Sequence, residues 1–518
     1  MPTYLTPGVY MEEVQAGARP IEGVGTAVAA FVGLAENGPF HTPTLVTNWD
    51  QYTREFGGFT QGTYLPHAVY GYFANGGGSA YIVRVGGSDG ASASHAAGAA
   101  GQPKQLPQPV EVGGFLVTAR PGVGGVSVEI ADPDGENPPE DRFKVLVRQG
   151  DQVAETYDAS TRKNVKGYLL SQVRSSKLIE VTEQRGAAQS RPAAQTVAVP
   201  DASPAPGPAG SGEMARLDPV EYVGDAAART GFGGLEAIDE ITMVAVPDLM
   251  SSFERGAIDA EGVRTVQLAV ISHCEQMGDR VAVLDTPPGM SAQQVRTWRN
   301  DEAGYDSHYA TLYYPWVRVF DPAAGRNTTV PPSGHIAGVW ARSDAERGVH
   351  KAPANEIVRG AVDLELRLSK GEQDLLNPIG VNCVRAFPGR GVRVWGARTL
   401  SSDPAWRYLN VRRLFNYLEE SILLGTQWVV FEPNDDRLWS SIRRNVTAFL
   451  SEEWRRGALF GRNAAEAFYV KCDRDNNPQE SIDQGRVVCE IGVAPVKPAE
   501  FVVFRLSQFS DSTSLVDE

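Results

Sequence analysis

Cysteine is scarce in this 518-residue chain. Cys274, Cys383, Cys472 and Cys489 are scattered, and none forms a CxxC pair. That spacing reads as buried free thiols, consistent with a reducing compartment. The seven histidines, His335 and His350 among them, lack ligand spacing, and there is no HExxH, so no metal site is expected. GxxxxGK[ST] is absent. Gly23-Val24-Gly25 precedes a strand pattern instead of opening a helix, and Asn75–Gly78 merely breaks the chain, so no phosphate cradle or other cofactor site is expected. Nothing in the spacing of Ser, His and Asp selects three as a catalytic triad. Positive charge is outnumbered, 48 Lys and Arg against 63 Asp and Glu, giving a net charge of -15. Such a chain repels phosphate, which argues against nucleic-acid binding. No apolar run approaches the ~18 residues a membrane span needs. The first residues, MPTYLTPGVYMEEV, carry neither a basic region nor an apolar signal core. The expectation is a chain made and folded in the bacterial cytoplasm, with no membrane contact.

What is present is an ordinary folded composition, 42% hydrophobic and 21% charged, in a chain long enough for several cores. Residues 1–20 read as an extended arm around Val9-Tyr10-Met11. Residues 21–88 pair a buried-strand run, Val28–Leu34, with a helix over Leu65–Ala74 and a returning strand, Ala80–Val85. An Ala/Gly/Ser-rich stretch, 89–107, and a low-complexity stretch, 186–216, flank an all-β texture. Its strands are expected at Gly114–Ala119, Gly125–Ile130, Phe143–Arg148 and Lys177–Val181. Residues 89–220 therefore read as a domain inserted into another. Residues 221–355 alternate strands (Ile241–Pro247, Arg280–Leu284, Thr311–Phe320) with helical patterns (Val263–Glu275, Ala292–Asn300), which implies a mainly parallel, covered sheet. Residues 356–500 read as α+β. Residues 501–518 read as a second arm carrying Phe501, Val502, Val503 and Phe504. The fold class expected is multidomain α/β and α+β.

Two helices near the C-terminus stand out. In the first, Asp403 reads as the N-cap with Pro404 at the first position. Val411, Leu414, Phe415, Leu418 and Ile422 form the core stripe, and Gly425 ends it. In the second, Asn434 reads as the cap and Gly457 as the stop. Leu438, Ile442, Val446, Phe449 and Leu450 face the core. At about 100° per residue, Arg437, Arg444 and Arg455 share the opposite face, among the small residues Ser441, Ala448 and Ser451. Residues 385–460 hold twelve arginines, no lysine and eight carboxylates. That inversion of the chain's overall charge reads either as a solvated helix face or as a face docking on an acidic partner; the local excess favours docking.

The segments PGVYMEEV, TAVAAFVGLAENGPF, AVYGYFANGGGSAYIVRV, HCEQMGDRVAVLDTPPG, YYPWVRVFDP, VPPSGHIAGVWARSDAERGVHKAPANE, LNPIGVNCVRAFPGRGVRVWGARTL, NVRRLFNYLEESILLGTQWVVFEPN and GVAPVKPAEFVVFRLSQ closely resemble contractile phage tail sheath proteins. The pattern is most like sheaths of extracellular phage-tail-like injection systems related to antifeeding prophages. The resemblance covers most of residues 1–88 and 230–510 and is least evident over 89–220. It implies a structural, non-enzymatic subunit with a subtilisin-like middle domain (221–355) and a C-terminal domain (356–500) facing an inner tube. It also implies an outward inserted domain, and arms that add strands to neighbouring copies through Val9, Tyr10, Met11 and Phe501–Phe504. The implied partners are further copies in stacked hexameric rings, the inner tube protein, and baseplate and cap proteins. The implied tube-facing residues are Arg437, Arg444 and Arg455. A baseplate or cap protein sharing the C-terminal domain is the alternative, and a subtilisin-fold hydrolase using Ser272 or Ser333 is the remote one.

Overall fold

The computed structural model describes residues 20–86, most of 110–198, and 218–505. The chain divides into two compact units, one of residues 1–91 with 215–518 and one of residues 92–214.

The larger unit is organised by an eight-stranded sheet. Its strands are β1 (Val28–Gly33), β2 (Thr44–Val46), β3 (Ser79–Arg84), β4 (Met243–Ala245), β5 (Val281–Asp285), β6 (Ala310–Tyr314), β10 (Val381–Phe387) and β11 (Gly391–Val394), in the order β11-β10-β6-β5-β4-β1-β3-β2. Between β6 and β10 in the chain, β7 (Val317–Asp321), β8 (Arg326–Val330) and β9 (Ala361–Leu364) form a separate three-stranded sheet. In the large sheet the six strands from β10 to β3 are mutually parallel; β2 and β11 close the edges antiparallel. Parallel strands need both faces covered, and alternation along β1 shows how this is met. Ala30 and Val32 join one core with Val263, Val266 and Val270 of helix α2 (Ala260–Met277). Ala29 and Phe31 join the other, with Leu65, Ala68 and Val69 of helix α1 (Leu65–Asn75) and Ile336 and Trp340 of helix α3 (Ser333–Arg347). Helices α1 and α3 approach backbone to backbone. A Cβ on Gly334 would lie 2.3 Å from Ala68 Cα, and one on Gly338 2.4 Å from the Tyr72 carbonyl oxygen.

Residues 21–88 thus supply three strands to the same sheet as residues 243–394, and the sheet runs across the sequence-drawn boundary at 355/356. The expected single strand Thr311–Phe320 is two strands. Pro315 has no N–H to donate, so β6 stops at Tyr314 and β7 starts afresh in the other sheet.

A third core holds the C-terminal region together. It packs helix α4 (Leu409–Thr426) and helix α5 (Asp436–Arg455) through Leu414, Leu418, Leu438, Ile442, Val446 and Leu450, and takes in Ile21 from the far end of the chain. A two-stranded sheet, β12 (Phe468–Lys471) with β13 (Glu490–Val493), packs against it. Two expected caps move. Asp403 accepts from Ala405 N–H and so caps only a turn, while α4 starts at Leu409. The reason is Tyr408, whose backbone bridges Arg398 and is held extended (φ -98, ψ 130), so the helix cannot begin earlier. At α5 the cap is Asp435, accepting from Arg437 and Leu438 N–H at 2.9 Å; Asn434 is occupied by Trp439 Nε1. Gly425 is the penultimate residue of α4 and does not end it.

The smaller unit is mostly strand. Gln195–Ala198, Val126–Ala131, Arg142–Gln149 and Gln152–Ser160 form one antiparallel sheet, and Val110–Val112, Phe115–Ala119 and Ile179–Glu183 a second. Alternate residues (Val126, Val128, Ile130; Phe143, Val145, Val147) fill its core. It is not purely β, since a short helix, Leu169–Val173, contributes both its end residues to that core. Gln195–Ala198 lies inside the stretch expected to be low-complexity linker, yet pairs with Ser127–Ile130.

Candidate functional site

Helix α5 buries Leu438, Ile442, Val446, Phe449 and Leu450, as its apolar stripe demands. That fixes its rotation and leaves Arg437, Arg444 and Arg455 exposed on the far side, with Ala448 exposed between them and Ser441 and Ser451 half-buried beside them. The face is not purely cationic. Arg455 lies 3.7 Å from Glu452, which also meets Arg456 at 3.4 Å, and Arg444 reaches Ser441 Oγ at 3.4 Å.

The local excess of arginine is partly spent inside the protein. Arg398 binds Glu500 at 2.5 Å. Arg412 is buried over the rings of Trp406 and Tyr309 and donates to Asn416. Arg413 binds Asp344 at 2.5 Å. A count of charges along the sequence cannot tell such inward arginines from outward ones.

The second candidate is the C-terminal arm. Phe501, Val502, Val503 and Phe504 follow Glu500 with no regular structure and are 75, 68, 78 and 87% exposed. Four consecutive apolar side chains at that exposure make a contiguous patch of the kind that marks a binding segment. Val9, Tyr10 and Met11 lie outside the described residues.

No arrangement suited to hydrolysis is built around the serines weighed for it. Ser333 Oγ donates to Asp285 at 2.5 Å, and its N–H donates to the same carboxylate at 2.9 Å. Burial pushes the Asp285 carboxyl up to about 7 despite those bonds. The serine serves as a donor that satisfies a buried acid at a helix start. His335, two residues along, is buried with Nδ1 unpartnered among the described residues, and burial lowers it to about 4. Ser272 is on the exposed face of α2. Among the described residues no group of His, Cys, Asp and Glu could hold a metal ion, and no helix is long and apolar enough to cross a membrane.

Residues 227–400, which carry the sheet from β4 to β11, match the family model of the phage tail sheath protein central domain. Residues 401–509, which carry α4, α5 and β12–β13, match that of the phage tail sheath C-terminal domain. The chain belongs to the phage tail sheath family. One relative matches nearly its whole length and others about half of it. The tail sheath protein of Burkholderia phage BcepMu is 25% identical over 96% of this chain and 95% of its own. A putative prophage major tail sheath protein of Pseudomonas aeruginosa is 28% identical over 54% of this chain and 73% of its own. The match to the tail sheath protein of Vibrio phage KVP40, 28% identical, spans only 39% of that longer protein. The fold is that of the contracted anti-feeding prophage helical sheath (TM-score 0.59, 24% identity, 98% of this chain and 100% of that one). It is also that of the contracted sheath of the PVC extracellular contractile injection system (TM-score 0.57, 23% identity, 98% and 99%). As a member of the tail sheath family the chain is a structural protein, not an enzyme.

Proposed function

We propose that this chain polymerises as stacked hexameric rings around an inner tube and contracts to drive that tube through a target envelope. The observation that carries the reading is likeness over nearly the whole chain: both the BcepMu sheath protein and the anti-feeding prophage sheath are covered almost completely. A baseplate or cap protein sharing only the C-terminal domain would lack that. Sixfold rings are favoured because a chain of this fold occurs in the sixfold-symmetrised anti-feeding prophage baseplate (TM-score 0.55, 24% identity).

In this reading the arms bearing Val9–Met11 and Phe501–Phe504 add strands to neighbouring copies. The β12–β13 sheet suits the receiving role: its strands have four residues each, and neither has a second strand partner among the described residues. Backbone hydrogen bonds contribute a net ~0.5–1.5 kcal/mol each, so two such arms hold a neighbour by several kcal/mol. Arms that stay paired let compact bodies turn past one another while the lattice shortens. The middle region is subtilisin-like in fold alone, which carries no activity with it. Residues 92–214 face outward, and Arg437, Arg444 and Arg455 face acidic groups on the tube. The partners are further copies, the tube protein, and baseplate and cap proteins. Electron microscopy of the purified chain tests the reading: hollow cylinders support it, and monomers at all protein concentrations and salts contradict it.

A further inference from the structure

The two arms are anchored at opposite ends of one helix. At the N-terminal side, residues 21–26 run along α4 in the reverse direction. Ile21 is buried against Gly425, where a Cβ would come within 2.7 Å of it. Gly23 sits on the Tyr417 ring, Val24 N–H donates to Ser421 Oγ at 3.1 Å, and Thr26 carbonyl accepts from Arg413 at 3.0 Å. Gly23 is there because a Cβ would lie 2.0 Å from the Tyr417 hydroxyl oxygen.

At the other end, Glu500 is the last restrained residue before the exposed Phe501–Phe504. Its carboxylate accepts from Arg398 Nε at 2.9 Å and from an Arg398 Nη at 2.5 Å. It also accepts from Asn377 Nδ2 at 2.8 Å and from the Tyr408 hydroxyl at 3.3 Å. Burial opposes its charge, but these bonds outweigh burial and hold the carboxyl below the ordinary range. Tyr408 is the residue immediately before α4, and Asn410 within its first turn donates to Val496 carbonyl at 3.0 Å. From Tyr408 to Gly425 the helix spans about 25 Å at roughly 1.5 Å per residue.

We propose that helix α4 is the strut that carries tension between the two arms, with the Glu500 clamp at its N-terminal end and the Ile21–Thr26 strap along its C-terminal half. Load entering through one arm then passes along this hydrogen-bonded helix to the other, and the large sheet shares it through Arg398, bonded to Asn382 of β10, and through the Arg413–Asp344 pair. A hydrogen-bonded rod with both ends gripped by side chains deforms less than a path through loops. This rests on the reading of both termini as exchanged arms.

Optical-tweezers pulling of the full-length monomer by its first and last residues tests the strut directly. Glu500→Ala and Ile21→Ala are expected to raise the rate of the first rupture at constant load by about tenfold or more, the factor for losing a charged hydrogen-bond pair or a buried anchor. Ile336→Ala, buried on α3 away from the path, controls for plain destabilisation and is expected to change that rate by no more than about twofold; Glu500→Gln, which keeps an acceptor, falls between. A first rupture in Glu500→Ala within about twofold of wild type, or an equal acceleration in Ile336→Ala, overturns the strut. The arm reading fails separately, if a chain lacking residues 501–518 still forms normal cylinders.

Discussion

Arg413 and Asp344 form a buried ion pair, 2.5 Å apart and almost wholly removed from solvent, that joins α4 of the C-terminal region to α3 under the large sheet. Thr26 completes it, donating from its hydroxyl to Asp344 at 2.7 Å and accepting from Arg413 through its carbonyl. The guanidinium also lies 4.7 Å from the Trp340 ring centroid. Three separated parts of the chain therefore meet on two charges, each satisfied by the other and by hydrogen bonds.

Removing one charge strands the other in a dry site. Arg413→Met is expected to destabilise the larger unit by about 3–5 kcal/mol, read as a shift of its urea or thermal transition. Replacing both charges with apolar residues is expected to cost less than the single change. A loss below about 1 kcal/mol for Arg413→Met is the level of an exposed pair and contradicts the joint.

Asp285 gives a pH dependence of definite sign. Its folded carboxyl is raised to about 7 by burial, against about 3.9 in an unfolded chain. A raised folded value means the folded state holds the proton more tightly. The contribution is fully present below about pH 4 and is lost as pH rises toward 7. Asp248, raised to about 6 by burial, acts in the same sense. Between pH 5 and pH 8 the wild-type melting temperature is expected to fall more than that of Asp285→Asn. Parallel profiles for the two proteins contradict the assignment.

Arg437, Arg444 and Arg455 lie off the core of α5. Reversing Arg437, Arg444 and Arg455 to Glu is expected to change monomer stability by about 1 kcal/mol or less per site, with the largest effect at Arg455 because Glu452 is its neighbour. Extended sheath-on-tube particles are expected to be lost, while tube-free cylinders persist. High salt is expected to weaken docking in the wild type, as screening shortens electrostatic reach to ~3 Å at 1 M. Normal yields of extended particles from the triple variant, counted by electron microscopy, contradict the role of this face.

Residues 92–214 form their own compact unit with their own core. Excising them with a short Gly/Ser bridge is expected to leave a folded chain that still assembles. A folded but non-polymerising product moves this unit into the lattice contacts.

Much of the fold could be read from residue patterns, and the exceptions have physical causes. Val28–Gly33, α1, α2 and the apolar stripe of α5 were legible because burial imposes a period that the sequence cannot avoid. The start of α4 was not, because it depends on Tyr408 being pinned to Arg398 in space. The cap of α5 was ambiguous between Asn434 and Asp435, and Trp439 decides it by taking Asn434. The Arg437–Arg444–Arg455 face followed from helical geometry. The clamp on Glu500 did not: its donors come from residues 377, 398 and 408, about a hundred positions away, and no local pattern marks them. Tyr417 and Ser421 likewise read as ordinary helix positions until the strap lies on them.

Strand exchange is the centre of the account, and a helical cryo-electron microscopy reconstruction of assembled cylinders tests it most directly. The expected map shows Phe501–Phe504 of one copy and Val9–Met11 of another as strands hydrogen-bonded to the edges of β12 and β13 in a third. A map in which those edges stay bare, with both termini folded back on their own subunit, contradicts it.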